Sequence, residues 1–119
     1  MAARRPIGGL EDEVMAYVWA TMTPATPAEV HQAIAPELAY TTVMTVLTRL
    51  WGKGLLNREP RGRGFAYAPV RTEAEHKADQ MRSTLAECGD RDAVLSTFVA
   101  SLGEQEVALL RELLGYDEP

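Results

Sequence analysis

The chain is poor in the residues that staple or catalyse. Among 119 residues there is one cysteine, Cys88, so no intrachain disulfide can form, and the only two histidines, His31 and His76, are far apart in sequence. A disulfide-built secreted fold is thereby excluded, as is a metal site of the spaced Cys/His type. No uninterrupted apolar run approaches the length of a membrane span. The opening Met1–Gly9 carries Arg4 and Arg5 but no long apolar stretch, which reads as a short basic lead rather than a signal peptide. A cytoplasmic protein without direct membrane insertion is the expectation. The acidic residues show no pairing that would set two carboxylates in a cleft, and the Gly-rich piece at 61–64 lacks the Walker pattern. Neither an enzyme nor a cofactor or metal is expected.

Positive charge is scarce overall, with 12 Lys and Arg against 17 Asp and Glu and a formal balance of -5. Taken alone, that balance speaks against nucleic acid. Its distribution says the opposite. Between 49 and 71 the chain places Arg49, Lys53, Arg58, Arg61, Arg63 and Arg71 against Glu59 alone, whereas 72–119 holds four basic and eleven acidic residues. A basic segment is followed by an acidic tail.

Apolar spacing predicts a first helix over 10–22, with Leu10, Val14, Tyr17 and Val18 on one stripe, Trp19 widening it, and acidic residues in the first turn. The segment 22–25 breaks it and can supply a short strand. Thr26-Pro27-Ala28-Glu29 combines an N-cap hydroxyl, proline at the first helical position and a capping-box glutamate. The helix it opens is short, turning Val30 and Ile34 inward before Pro36. A longer helix is expected from Tyr40 to Lys53, with Gly54 as its stop. Two short strand-like runs follow, 55–59 and 64–68, joined by the turn residues 60–63, with Leu56, Phe65 and Tyr67 as candidates to face the helices. This order makes a winged helix-turn-helix domain over 1–71.

From Thr72 a second capping box, Thr72 with Glu75, opens a helix whose stripe includes Ala74, Ala78, Met81 and Leu85. Gly89-Asp90 interrupts. Val94, Leu95, Phe98, Val99 and Leu102 form a second stripe, and Val107, Leu110, Leu113 and Leu114 a third. Short isolated helices are marginal in water, so residues 72–119 are expected to bury these stripes against a second copy, giving a two-fold homodimer, in preference to folding back on the amino-terminal domain. Mainly α structure with a small β-hairpin, and a helical dimerisation region after the winged domain, is the fold expected.

With Val43, Val46, Leu47 and Leu50 turned inward, the third helix presents Thr41, Thr42, Thr45, Thr48 and Arg49. Threonine donates or accepts at base edges and offers a methyl to thymine, while arginine binds guanine or phosphate. Tyr40 and the first threonines suit a phosphate at the helix start. Met44 lies between the two faces. Lys53 and Arg58 are candidates for backbone contacts beside this helix, and Arg61 and Arg63 for contacts from the hairpin tip. The expected partner is double-stranded operator DNA. A winged-helix module that docks another protein is the alternative.

The segment from Tyr40 to Leu50, followed by Lys53-Gly54-Leu55 and by Gly62-Arg63 before Tyr67, resembles the BlaI/MecI/CopY family of bacterial penicillinase-type repressors. Leu10-Glu11, Val14-Met15 and Trp19 are similar too. The resemblance implies a dimeric repressor on dyad operators before β-lactamase or related stress-response genes. In the antibiotic-responsive branch it implies cleavage in the dimerisation region, triggered by a membrane sensor with a protease domain. The matching bond here is Thr97–Phe98, with threonine where the best-known members carry asparagine. The cysteine motif of the copper-responsive branch is absent.

Overall fold

A computed structural model describes residues 8–116, so Arg4 and Arg5 lie outside the described residues. Six helices and one hairpin follow in the order α1 (Gly9–Ala20), α2 (Pro27–Ile34), α3 (Tyr40–Gly52), β1 (Leu56–Arg61), β2 (Gly64–Pro69), α4 (Glu73–Ala86), α5 (Arg91–Ala100) and α6 (Glu104–Leu114). Two compact units divide at His76 and Lys77, inside α4.

The first unit is built on α1–α3 and the hairpin. Val14, Met15 and Val18 of α1, Val30 of α2, and Val43, Val46, Leu47 and Leu50 of α3 form one buried core with Leu56 and Tyr67 of the strands. Trp19 and Ile34 are half-buried against it. α1 stops two residues before the expected end because Thr21 turns into extended backbone, its hydroxyl donating to the Tyr17 carbonyl at 2.7 Å.

The start of α2 follows its sequence signal. The Glu29 amide donates to Thr26 Oγ1 at 3.2 Å, and the Thr26 amide donates to Glu29 Oε1 at 2.8 Å. These bonds from Thr26, backbone first, hold the Glu29 carboxyl below its ordinary value of 4.5, with Arg61 adding a smaller attraction. A lowered folded value means that the stabilisation is present above the ordinary value and is lost as pH falls through the lowered one. Thr26→Ala removes one side of this reciprocal pair and is expected to cost about 1 kcal/mol in urea unfolding.

The turn into α3 is tied by His31, whose Nε2 donates to the Leu38 carbonyl at 2.7 Å while its ring meets the edge of Tyr40. α3 ends as its glycine suggests. Gly54 takes φ +80°, the Gly54 amide donates to the Trp51 carbonyl and the Leu55 amide to the Leu50 carbonyl, each at 3.0 Å. These two bonds satisfy carbonyls that the last helical turn leaves open, and Leu55 is brought back onto the core.

β1 and β2 pair antiparallel from Leu56 opposite Pro69 to Arg61 opposite Gly64. The strands run further toward the tip than the sequence suggests: Pro60 and Arg61 belong to β1, and the turn itself is only Gly62-Arg63. Gly62 at φ +61° followed by a residue of negative φ is the two-residue connection whose twist suits a hairpin. The sheet is anchored to the α1–α2 link, because Ala25 and Tyr67 exchange amide-to-carbonyl bonds of 2.9 and 2.8 Å. Phe65 departs from its expected place. Leu56 and Tyr67 are buried, but Phe65 is exposed, paired with Pro60 near the tip and lying under the Arg58 guanidinium instead of in the core.

In α4, α5 and α6 no residue is buried. α4 opens on the expected capping box, the Glu75 amide donating to Thr72 Oγ1 and the Thr72 amide to Glu75 Oε1. Of the apolar stripes, Leu85, Leu102, Val107 and Leu110 are half-buried, while Met81, Val94, Leu95, Phe98, Val99, Leu113 and Leu114 are exposed. Among the described residues no helix is long and apolar enough to cross a membrane.

Candidate nucleic-acid interface

Burial of Val43, Val46, Leu47 and Leu50 fixes the rotation of α3 about its axis, and the remaining face is set by geometry. Thr41, Met44, Thr45, Thr48 and Arg49 line one open depression on that face. Met44, which the spacing leaves between two faces, is exposed there. Thr42 is exposed but outside the depression. Thr45 Oγ1 donates to the Thr41 carbonyl at 2.9 Å, so its hydroxyl is turned back along the helix. Its methyl and oxygen lone pairs remain as recognition groups. Ala39 precedes the helix and offers no side-chain cap of its own, while its carbonyl accepts from the Thr42 amide at 3.0 Å.

The cations of this surface are less free than their sequence positions suggest. Lys53 Nζ lies 3.0 Å from Glu11 Oε1, and Arg49 Nη1 lies 3.8 Å from Glu11 Oε2. Arg49 in the last turn of α3 and Lys53, which caps its end, lie four residues apart and converge on a carboxylate from α1. Arg58 is held differently. Its guanidinium carbon sits 3.6 Å from the centroid of the Trp51 ring and 4.0 Å from that of Phe65. Held over both rings, this guanidinium joins the end of α3 to the hairpin, and its N–H groups are what can meet a phosphate. Arg61 lies three residues further along β1, about 10 Å at the usual strand rise, and Arg63 occupies the exposed turn. Tyr40 is exposed at the start of α3.

Residue type alone does not reveal Glu11 and Trp51 as parts of this surface. Glu11 reads as a first-turn acid favourable to the α1 dipole, and its partners are 38 and 42 positions away. Trp51 adjoins the buried Leu50 and gives no period of its own. Among the described residues no group of three or more His, Cys, Asp or Glu side chains is placed to hold a metal.

A helix with a polar, partly basic face next to an arginine-tipped hairpin is an arrangement for reading a duplex. The penicillinase repressor family model matches residues 7–115. The chain belongs to that family. Two proteins described as transcriptional regulator BlaI, from two strains of Mycobacterium tuberculosis, are each 40% identical over 119 residues, spanning 96% of this chain and 86% of the relative. A MarR family protein from Bacillus stearothermophilus is 14% identical, with a TM-score of 0.47 over 87% of this chain and 67% of that one. The penicillinase repressor family is one of DNA-binding transcriptional repressors with a winged helix, not of enzymes. For this repressor the face of α3 and the hairpin are accordingly the candidate DNA contacts.

Proposed function

We propose that this repressor acts as a homodimer on dyad operator DNA and controls a β-lactamase or a related stress-response gene. The observation that carries the reading is the Thr41–Arg49 face, left outside by a core that consumes every inward position of α3. Each subunit sets α3 in a major groove, where Thr45, Thr48 and Arg49 read bases. Tyr40, Thr41 and Thr42 meet a phosphate at the helix start, and Lys53, Arg58, Arg61 and Arg63 meet the backbone alongside it. Residues 1–71 form the DNA-binding part and 72–119 the dimerisation part. The exposed apolar side chains of α5 and α6 are the surface that a second copy covers, which holds two reading heads at the half-site spacing. Occupied DNA then excludes the polymerase.

A cut between Thr97 and Phe98 by a sensor-triggered protease would interrupt α5 and release the dimer. Thr97 Oγ1 donates to the Ala93 carbonyl at 2.8 Å, so this bond lies within intact helix and becomes cleavable after local unwinding.

Selection from a randomised duplex pool tests the reading: a two-fold symmetric sequence is expected to emerge, and enrichment of nothing beyond the starting pool would refute it. Arg63→Ala is expected to weaken the enriched duplex and a scrambled one alike, and to reduce the salt slope by about 0.9, the amount for one phosphate no longer neutralised. An unchanged slope would remove Arg63 from the groups that meet the backbone.

A further inference from the structure

Glu11 stands where a DNA-reading surface has least use for a carboxylate. Its two oxygens face Lys53 Nζ at 3.0 Å and Arg49 Nη1 at 3.8 Å, and its side chain is 24% exposed against 51% and 57% for the two cations. The acid is therefore the more enclosed member of the cluster, while the cations retain half their surface toward solvent. Exposed pairs of this kind contribute little stability. The fold has no need of the cluster, since the core beneath it is apolar and complete. Its effect falls on the charge that α3 offers.

We propose that Glu11 is a specificity-determining residue, a positioning group that holds Arg49 in the base-reading pose and restrains Arg49 and Lys53 from binding phosphate wherever a duplex presents it. This rests on the reading of α3 as the operator-binding helix. Non-specific affinity is almost wholly electrostatic and scales with the cations free to release counterions. A carboxylate shared by two of them subtracts from that term on any sequence. On the matched sequence the pull on Lys53 costs as much as on any other, but Arg49 is engaged with a base there rather than a phosphate, so less of the total is lost. The same carboxylate thus lowers binding to wrong sequences more than to the right one, which is how a repressor discriminates among abundant competing sites.

The test uses the full chain and its Glu11→Gln variant, which is close in shape and removes the charge. Each is titrated over a range of salt with two duplexes, the one that wild-type protein enriches from a randomised pool and a scrambled sequence of equal length. On the scrambled duplex, Glu11→Gln is expected to bind about tenfold more tightly at low salt, with a slope steeper by about 1–2 as Arg49 and Lys53 take up phosphates. Binding to the enriched duplex changes several-fold less, so the ratio between the two falls. Adding Lys53→Gln to Glu11→Gln is expected to return about half of the extra slope, at one phosphate per cation. An unchanged slope on the scrambled duplex, equal tightening on both duplexes, or an extra slope that survives Lys53→Gln would each overturn the proposal. A wild-type protein with no preference between duplexes would instead overturn the operator reading, and the scrambled-duplex slope would still decide whether Glu11 restrains these cations.

Discussion

Leu110→Asp is expected to convert the repressor to a monomer in sedimentation equilibrium and to weaken binding to a dyad operator by about a hundred- to ten-thousandfold. Leu110 is half-buried on α6, in the stripe with Val107, Leu113 and Leu114, the last two exposed. An ionised carboxylate at the centre of that stripe cannot be covered by apolar surface without a partner, so association loses its favourable term and gains a desolvation penalty. On the proposed dyad operator the loss in affinity is large because the second half-site would otherwise be bound at the high effective concentration that the first provides. The core of Val14, Val30, Leu47 and Leu50 is untouched by the substitution, so the helical signal and thermal transition of the winged unit should persist, as should weak binding to a single half-site. A variant that remains dimeric would place the interface off α6. One that becomes monomeric yet keeps full operator affinity would remove dimerisation from the mechanism.

The same stripe shows how much of the fold sequence can convey. Helix starts at Thr26 and Thr72 are visible because a cap works through neighbours three residues away, and both boxes are formed. The stop at Gly54 is visible for the same reason, since its positive φ and the bonds to Leu50 and Trp51 are local. The inward face of α3 follows from period alone, and all four of its expected core residues are buried. Phe65 and the reach of β1 do not follow. A strand's alternation says which side chains share a face, but not how far along the strand the core reaches, and Phe65 near the tip meets Arg58 instead.

The candidate interface divides in the same way. Thr41, Thr45, Thr48 and Arg49 share a face because helical geometry requires it, and their joint depression needed no tertiary information, whereas Thr42 falls outside it. The restraint on Arg49 and Lys53 depends on how α1 crosses α3, which brings Glu11 to residues some forty positions later. Sequence charge alone counts six positive groups against one between 49 and 71. The folded surface includes a second carboxylate from elsewhere in the chain, and two of those cations share it. Arg58 likewise counts as one free charge in sequence and becomes a stacked element between Trp51 and Phe65 in the fold.

Leu47→Ala should separate holding the reading helix from what the helix reads. Leu47 is fully buried in the cluster that includes Val14, Val18, Val30 and Leu50, and it belongs to none of the exposed groups on α3. Truncation removes three methyl-sized groups from a closed core and leaves space that neighbours fill only partly, at a cost of about 2–5 kcal/mol. Small domains are stable by about 5–15 kcal/mol, so with both quantities near the middle of their ranges the urea midpoint should fall by about a third while the transition stays cooperative. Thr48→Ala on the opposite face is expected to leave stability within about 0.5 kcal/mol and to alter preference among operator variants. Below its transition Leu47→Ala should bind with the wild-type salt slope, because Thr41, Thr45, Arg49, Lys53 and Glu11 are chemically unchanged. If instead its slope or sequence preference shifts while the protein is folded, the core sets the pose of α3 continuously. In that case the division of this helix into a packing face and a reading face is too simple.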